Sequence, residues 1–65
     1  MVKMATLKIQ ADAVEHGDFL PGIDNGYVVE IQDHEYRTTI IFHDANGDEC
    51  ELEMSHESML TVERS

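Results

Sequence analysis

Ser55-His56-Glu57-Ser58 sets a hydroxyl nucleophile, an imidazole base and a carboxylate side by side, the group types of hydrolytic acyl transfer. A catalytic triad needs such groups convergent in space, with donors aimed at the oxyanion. Neighbours in a tight polar turn rarely meet that geometry, so the stretch reads as a turn with Ser55 as its cap. Asp44-x-Asn46-x-Asp48 alternates oxygens as the start of a calcium-binding loop does. That loop requires Gly at its sixth place and a bidentate Glu at its twelfth. Glu49 and Ser55 stand there instead, and hairpin turn chemistry accounts for all three oxygen donors. The histidines at 16, 34, 43 and 56 are scattered over separate connections. None is spaced from another or from Cys50 like a zinc ligand set. No catalytic residue, cofactor or metal is expected, and the chain is expected not to be an enzyme.

Glu49, Glu51 and Glu53 form a carboxylate row on one strand face. At a rise of about 3.4 Å per residue, alternate side chains lie roughly 6.8 Å apart. Duplex DNA presents one charge per about 1.7 Å of axis, so the row alone is too sparse to imitate it. A nucleic-acid mimic would require Asp12, Glu15, Asp18, Asp24 and Glu30 to converge beside the row. Ile41 shares its face, with Tyr36, Val28 and Phe19 as further candidates to point outward. An apolar cluster rimmed by acids is a partner site. The candidate partner-binding residues are therefore Ile41, His43, Glu49, Glu51 and Glu53. His43 opposite Glu49 reads as an exposed pair worth a few tenths of a kcal/mol.

These positions depend on a β-hairpin spanning Tyr36 to Met54 around Asp44-Ala45-Asn46-Gly47. Asp at the first place and Gly at the fourth suit a type I turn, with Gly47 at positive φ as a bulge. That three-residue loop sets Asp44 opposite Asp48. Counting outward pairs Phe42 with Cys50, Ile40 with Leu52 and Thr38 with Met54 on an apolar face. The other face pairs His43 with Glu49, Ile41 with Glu51 and Thr39 with Glu53. A two-residue loop would set Phe42 and Ile40 against acids, because a one-residue slip exchanges the faces.

Elsewhere, residues 5–11 alternate as a half-buried strand with Leu7, Ile9 and Ala11 on one face. Asp12 with Glu15 predicts a capped helical turn over 13–16, closed by Gly17 in the left-handed region. Residues 17–20 return to extended structure. Leu20-Pro21-Gly22-Ile23 suits a type II turn with Gly22 at positive φ. Tyr27–Gln32 is a strand with Tyr27, Val29 and Ile31 on one face and Val28, Glu30 and Gln32 on the other. Residues 33–35 connect it to the hairpin, and residues 59–63 close the chain with Leu60 and Val62 inward. Five short strands must curl to bury one face and shield their edges. The fold expected is all-β, a small five-stranded SH3-like barrel over residues 4–64. An open, strongly bent antiparallel sheet is the alternative.

Sixty-five residues make one small domain. A chain of that size buries only about 60% of its unfolded surface. Its net charge of −10, from fourteen acids against four bases, disfavours direct binding to nucleic acid or an anionic membrane. It suits a protein partner with a basic surface. The single cysteine excludes an intramolecular disulfide and suits a reducing compartment. No apolar run approaches the roughly 20 residues of a membrane span, and no signal-peptide core is seen. A cytoplasmic location is expected. Met4 follows Met1 closely, so residues 1–3 read as an alternative start or a cloning remnant. A barrel this small also gains core by pairing, so a homodimer stands beside the monomer.

Ala11-Asp12-Ala13-Val14-Glu15-His16-Gly17-Asp18-Phe19-Leu20-Pro21-Gly22, followed by Asn25-Gly26-Tyr27-Val28-Val29-Glu30, resembles short hypothetical proteins of actinobacteriophages. Phe42-His43-Asp44-Ala45-Asn46-Gly47 and Leu60-Thr61-Val62-Glu63 look like the same group, so the resemblance covers most of residues 4–64. Many of its members carry a longer connection where Asp33-His34-Glu35 stands here. The resemblance implies a phage accessory protein in the cytoplasm of the bacterial host, of unassigned activity, and transfers no functional residue. With the charge and the outer-face residues, it leads to a non-enzymatic protein-interaction module acting on a host protein. A nucleic-acid mimic occupying a basic groove is the alternative.

Overall fold

A computed structural model describes residues 4–65; the reading of residues 1–3 lies outside them. The chain forms β1 (Ala5–Gln10), a 3₁₀ turn (Ala11–Ala13), β2 (Phe19–Leu20), β3 (Gly26–Asp33), β4 (Arg37–His43), β5 (Glu49–Ser55) and β6 (Met59–Arg64). All six strands join one antiparallel sheet in the order β1-β6-β2-β3-β4-β5. The all-β expectation holds, but the sheet is open, with β1 and β5 as its edges, and not a closed barrel. The sixth strand is the pair Phe19–Leu20, expected only as extended chain. Among the described residues no helix is long and apolar enough to cross a membrane.

β4 and β5 pair in the register the turn dictates, from Arg37 with Ser55 to His43 with Glu49. Gly47 lies at φ 85° and its amide donates to the Asp44 carbonyl at 2.9 Å. The Asp44 amide donates to the Asp48 carbonyl at 3.0 Å, which closes the loop. Asp44 Oδ1 also accepts from the Asn46 and Asp48 amides, both at 2.9 Å. Phe42 is 3% exposed and Ile40 is fully buried, whereas Ile41 is only half-buried on the opposite face.

The core joins Leu20, Val28, Ile40, Phe42, Leu60 and Val62, with Ala11 and Val14 from the segment after β1. Burying each large aliphatic side chain contributes about 1.5–3 kcal/mol. Leu60 and Val62 point inward as their alternation predicts.

Three local expectations are corrected. β3 carries a bulge between Val28 and Glu30, so Val28 opposes Phe42 while Ile31 opposes Ile40. The extra residue, Val29, shifts the alternation, so Val28 is core rather than an outward side chain and Tyr27 is exposed. The 3₁₀ turn begins at Ala11 rather than 13, and Gln10 stands at its cap position with no side-chain bond. Backbone bonds to a distant part of the same chain set it: the Ala11 amide donates to the Ser58 carbonyl at 2.8 Å and the Asp12 amide to that of His56 at 3.4 Å. Gly17 does close the segment, at φ 92°.

Gly22 is not at positive φ, so Leu20–Ile23 is not the type II turn expected. The left-handed residues are Asp24 and Asn25, at φ 53° and 50°, with the Gly26 amide donating to the Ile23 carbonyl at 3.1 Å. Positive φ at both central residues is the type I′ pattern, here set inside the five-residue loop between Leu20 and Gly26. Gly26 follows it for a steric reason: a Cβ there would overlap the Phe42 ring.

The sheet is thin at its centre. β2 holds β6 by the single pair Phe19 with Glu63, and β3 by two pairs. Beside this joint, Arg64 Nε and Nη2 each donate to Asp18 at 2.8 Å, on Oδ1 and Oδ2. The Glu15 amide adds a bond to Asp18 Oδ2 at 2.9 Å, and Glu15 Oε2 lies 3.1 Å from Arg64 Nη1. Asp18 is 2% exposed. Burial pushes its carboxyl up, but the hydrogen bonds from Arg64 and the Glu15 amide, with the Arg64 charge, outweigh burial and hold it below the usual range.

Candidate functional site

The outer face of the sheet, opposite the core, collects every residue singled out for binding. Ile41, His43, Glu49, Glu51 and Glu53 share one face of the β4–β5 hairpin. Ile41 sits between Glu51 on β5 and Glu30 on β3, half-buried and framed by acids. The carboxylate row is partly answered from within the chain. Arg37 Nε lies 2.7 Å from Glu53 Oε1, and His43 Nε2 lies 3.9 Å from Glu49 Oε1, which becomes an ion pair when the imidazole is protonated. Among the described residues Glu51, at the centre of the row, has no ion pair.

β5 is an edge, so half its backbone groups lack a partner strand. Asp44 and Asp48 form a hydrogen-bonded pair, and antiparallel ladders alternate bonded with non-bonded pairs. Cys50, Leu52 and Met54 therefore bond to β4, while the amides and carbonyls of Glu49, Glu51 and Glu53 face the free edge. The acids flank the groups through which another strand would pair. Charged side chains on such an edge also repel unwanted strands.

The face continues past the hairpin. One row runs Glu63 on β6, Phe19 on β2, Tyr27 on β3, His43 on β4 and Glu49 on β5. Phe19 and Tyr27 pack with ring centroids 5.0 Å apart at 50°, a tilted pair. Phe19 points to this face as the sequence suggests, and Tyr27 joins it because the bulge shifts β3. Tyr36, 77% exposed, stands at the far end with His34, Glu35, Arg37 and Glu53 around a shallow open depression. Thr39 lies on this face yet is 2% exposed, between its cross-strand neighbours Gln32 and Glu53.

Of the acids a duplex mimic requires, Glu30 stands beside the row. Asp18 is buried, and Glu15 turns with it to Arg64. The hydrolase-like run at 55–58 does not assemble as a triad. Ser55 and Ser58 hydroxyls meet at 2.8 Å, and His56 turns to Thr38, a buried hydroxyl. Among the described residues no three His, Cys, Asp or Glu side chains come together as a cation site. Cys50 Sγ lies on the core side, 3.7 Å from Asp44 Oδ2. Burial, then the Asp44 carboxylate, pushes its thiol up, away from the reactive thiolate. The Asp48 amide, before the other turn groups, holds the Asp44 carboxyl below its ordinary range.

No family model, no curated protein and no solved structure matches the chain.

The edge position of β5, the Phe19–Tyr27 pair and the Arg37–Glu53 bridge were not picked out in the sequence. The first two depend on strand order and on the bulge. The third had a signal: Arg37 shares its strand face with Thr39, whose cross-strand partner is Glu53.

Proposed function

We propose that the chain is a non-catalytic interaction module that takes a basic segment of a protein partner along β5 and the outer face of the hairpin. One observation carries this reading: the free backbone groups of an edge strand lie among Glu49, Glu51 and Glu53, with Ile41 half-buried behind them. An extended segment alternating Lys or Arg with apolar residues would pair its backbone with β5 and meet the carboxylates. Charge complementarity would speed its encounter and make affinity fall with salt. In this reading the sheet is an opened SH3-like arrangement, the module is a phage accessory protein in the host cytoplasm, and its target is a host protein. The resemblance to phage proteins and the lone thiol support that setting.

The test is an amide-resolved NMR titration with an extended Lys/Val-alternating peptide and its Glu/Val counterpart. The basic peptide should shift Ile41, Glu49, Glu51 and Glu53, and Glu51→Lys should weaken binding about tenfold, or about 1.4 kcal/mol. Saturable shifts on another face, or none up to millimolar peptide, would refute the assignment of this surface.

A further inference from the structure

Thr38 has one hydroxyl proton and two side-chain partners, Asp33 and His56. Its side chain lies on the core side of β4 with no exposure. Thr38 Oγ1 is 3.0 Å from Asp33 Oδ1 and 2.8 Å from His56 Nδ1, and His56 Nε2 is 3.3 Å from the Glu35 carbonyl oxygen. The chain of contacts links the end of β3, the start of β4, the connection at 34–36 and the turn at 55–58.

The protons can be counted for each state of the ring. An ionised Asp33 only accepts, so Thr38 must donate to it, and His56 Nδ1 must then donate to Thr38. A neutral ring protonated on Nδ1 faces the Glu35 carbonyl with a lone pair on Nε2. A neutral ring protonated on Nε2 serves Glu35, but then Thr38 must donate to Nδ1 and sets its own lone pairs against Asp33. Each neutral tautomer breaks one of the three contacts. The imidazolium, a donor at both nitrogens, satisfies all three.

We infer that His56 and Thr38 form a proton-operated clasp: protonated His56 ties the 34–36 connection to the 55–58 turn, and loss of the proton releases that connection. The link that opens is the exposed one, His56 Nε2 to Glu35, because water can replace it there. The buried hydroxyl keeps both of its partners. The ionisable groups on the segments meeting His56 are Asp33, His34, Glu35 and Arg37 before and at the start of β4, Glu57 on its own turn, and Asp12 on the 3₁₀ turn, whose amide bonds to the His56 carbonyl. The inference stands on the core side of β4 and does not depend on the proposed partner surface.

The experiment uses a His34→Gln chain, so that the histidine within the connection reports nothing. Ring ¹⁵N spectra of His56 and backbone amide spectra are followed from about pH 8 to about pH 5, the range over which histidine changes charge. The Glu35 and Tyr36 amides should shift with the same midpoint as the His56 ring. Adding Asp33→Asn separates the clasp from a general acid effect. The asparagine amide can donate to Thr38, Thr38 can donate to Nδ1, and a neutral ring then satisfies Glu35 through Nε2–H. In that variant the 35–36 shifts with pH should be lost, and the neutral ring should hold the Nε2–H tautomer. Amides at 35–36 that ignore the His56 titration, or that follow a carboxylate midpoint, would overturn the clasp. So would pH shifts at 35–36 that persist unchanged after Asp33→Asn.

Discussion

Replacing Arg64 by methionine should expose how much of the fold hangs on one guanidinium. The substitution keeps an unbranched apolar stem and removes both 2.8 Å bonds to Asp18. Asp18, 2% exposed, would keep only the Glu15 amide. Stranding a buried charge in this way costs about 3–5 kcal/mol. A chain of 65 residues holds in total about 3–10 kcal/mol, at roughly 0.05–0.15 kcal/mol per residue. With m of about 1 kcal/mol/M in urea for so small a domain, the midpoint should fall by about 3–5 M, or the chain should unfold outright. The loss is concentrated where β2 joins β6 by a single pair.

The pH dependence separates a stranded charge from lost packing. In the parent the Asp18 carboxyl is held low, so its stabilisation is present above the unfolded carboxylate pKa and is lost as pH falls through the lower folded value. Without Arg64, burial dominates and pushes the carboxyl up. The folded state then takes up a proton more readily than the unfolded chain, and the variant should gain relative stability as pH falls through that raised value. Asp18→Asn/Arg64→Met removes both the buried carboxylate and its guanidinium and should recover much of the loss at neutral pH. Urea titrations of all three chains between about pH 4 and about pH 7 give the slopes. An Arg64→Met chain within about 0.5 kcal/mol of the parent, a difference usual for surface substitutions, would refute the reasoning, as would parallel slopes.

Gly26→Ala should cost about 1–3 kcal/mol by thermal melting because the new methyl meets the Phe42 ring. Gly22→Ala, with open space around it, should be neutral or gain up to about 1 kcal/mol. Ile40→Ala should cost about 2–5 kcal/mol by urea unfolding, and Ile41→Ala less than half as much; equal losses would invert the assigned faces of β4. Cys50 should alkylate more slowly than free cysteine at pH about 8, close to a free thiol's own pKa, and Asp44→Asn should speed it by removing the nearest carboxylate.

The hairpin was legible residue by residue because two local signals agree there. The Asp44–Gly47 turn sets a register, and alternation in both arms gives the same inside and outside. The strand β3 was legible but its faces were not, because Tyr27, Val29 and Ile31 alternate with period two and a bulge without glycine leaves only the extra apolar Val28 as a mark. The turn before it misled through Pro21-Gly22, whose types suit a type II turn, whereas Asp24 and Asn25 take the left-handed backbone and Gly22 does not. Asp18 with Arg64, and Thr38 with His56, join residues 46 and 18 positions apart, which no local pattern announces. The surface row was readable as a face of the hairpin. That β5 is an edge follows from strand order, since β6 returns to pair with β1.

The extra residue in β3 also sets how this chain tolerates changes in length. Removing Val29 would leave Val28 and Ile31 on the interior side and Glu30 and Gln32 on the exterior, because the ladder would simply become regular. The same deletion anywhere in β4 would transpose every side chain beyond it. Of these two neighbouring strands, one has slack for a shortened gene, at the cost of a flatter sheet, and the other has none.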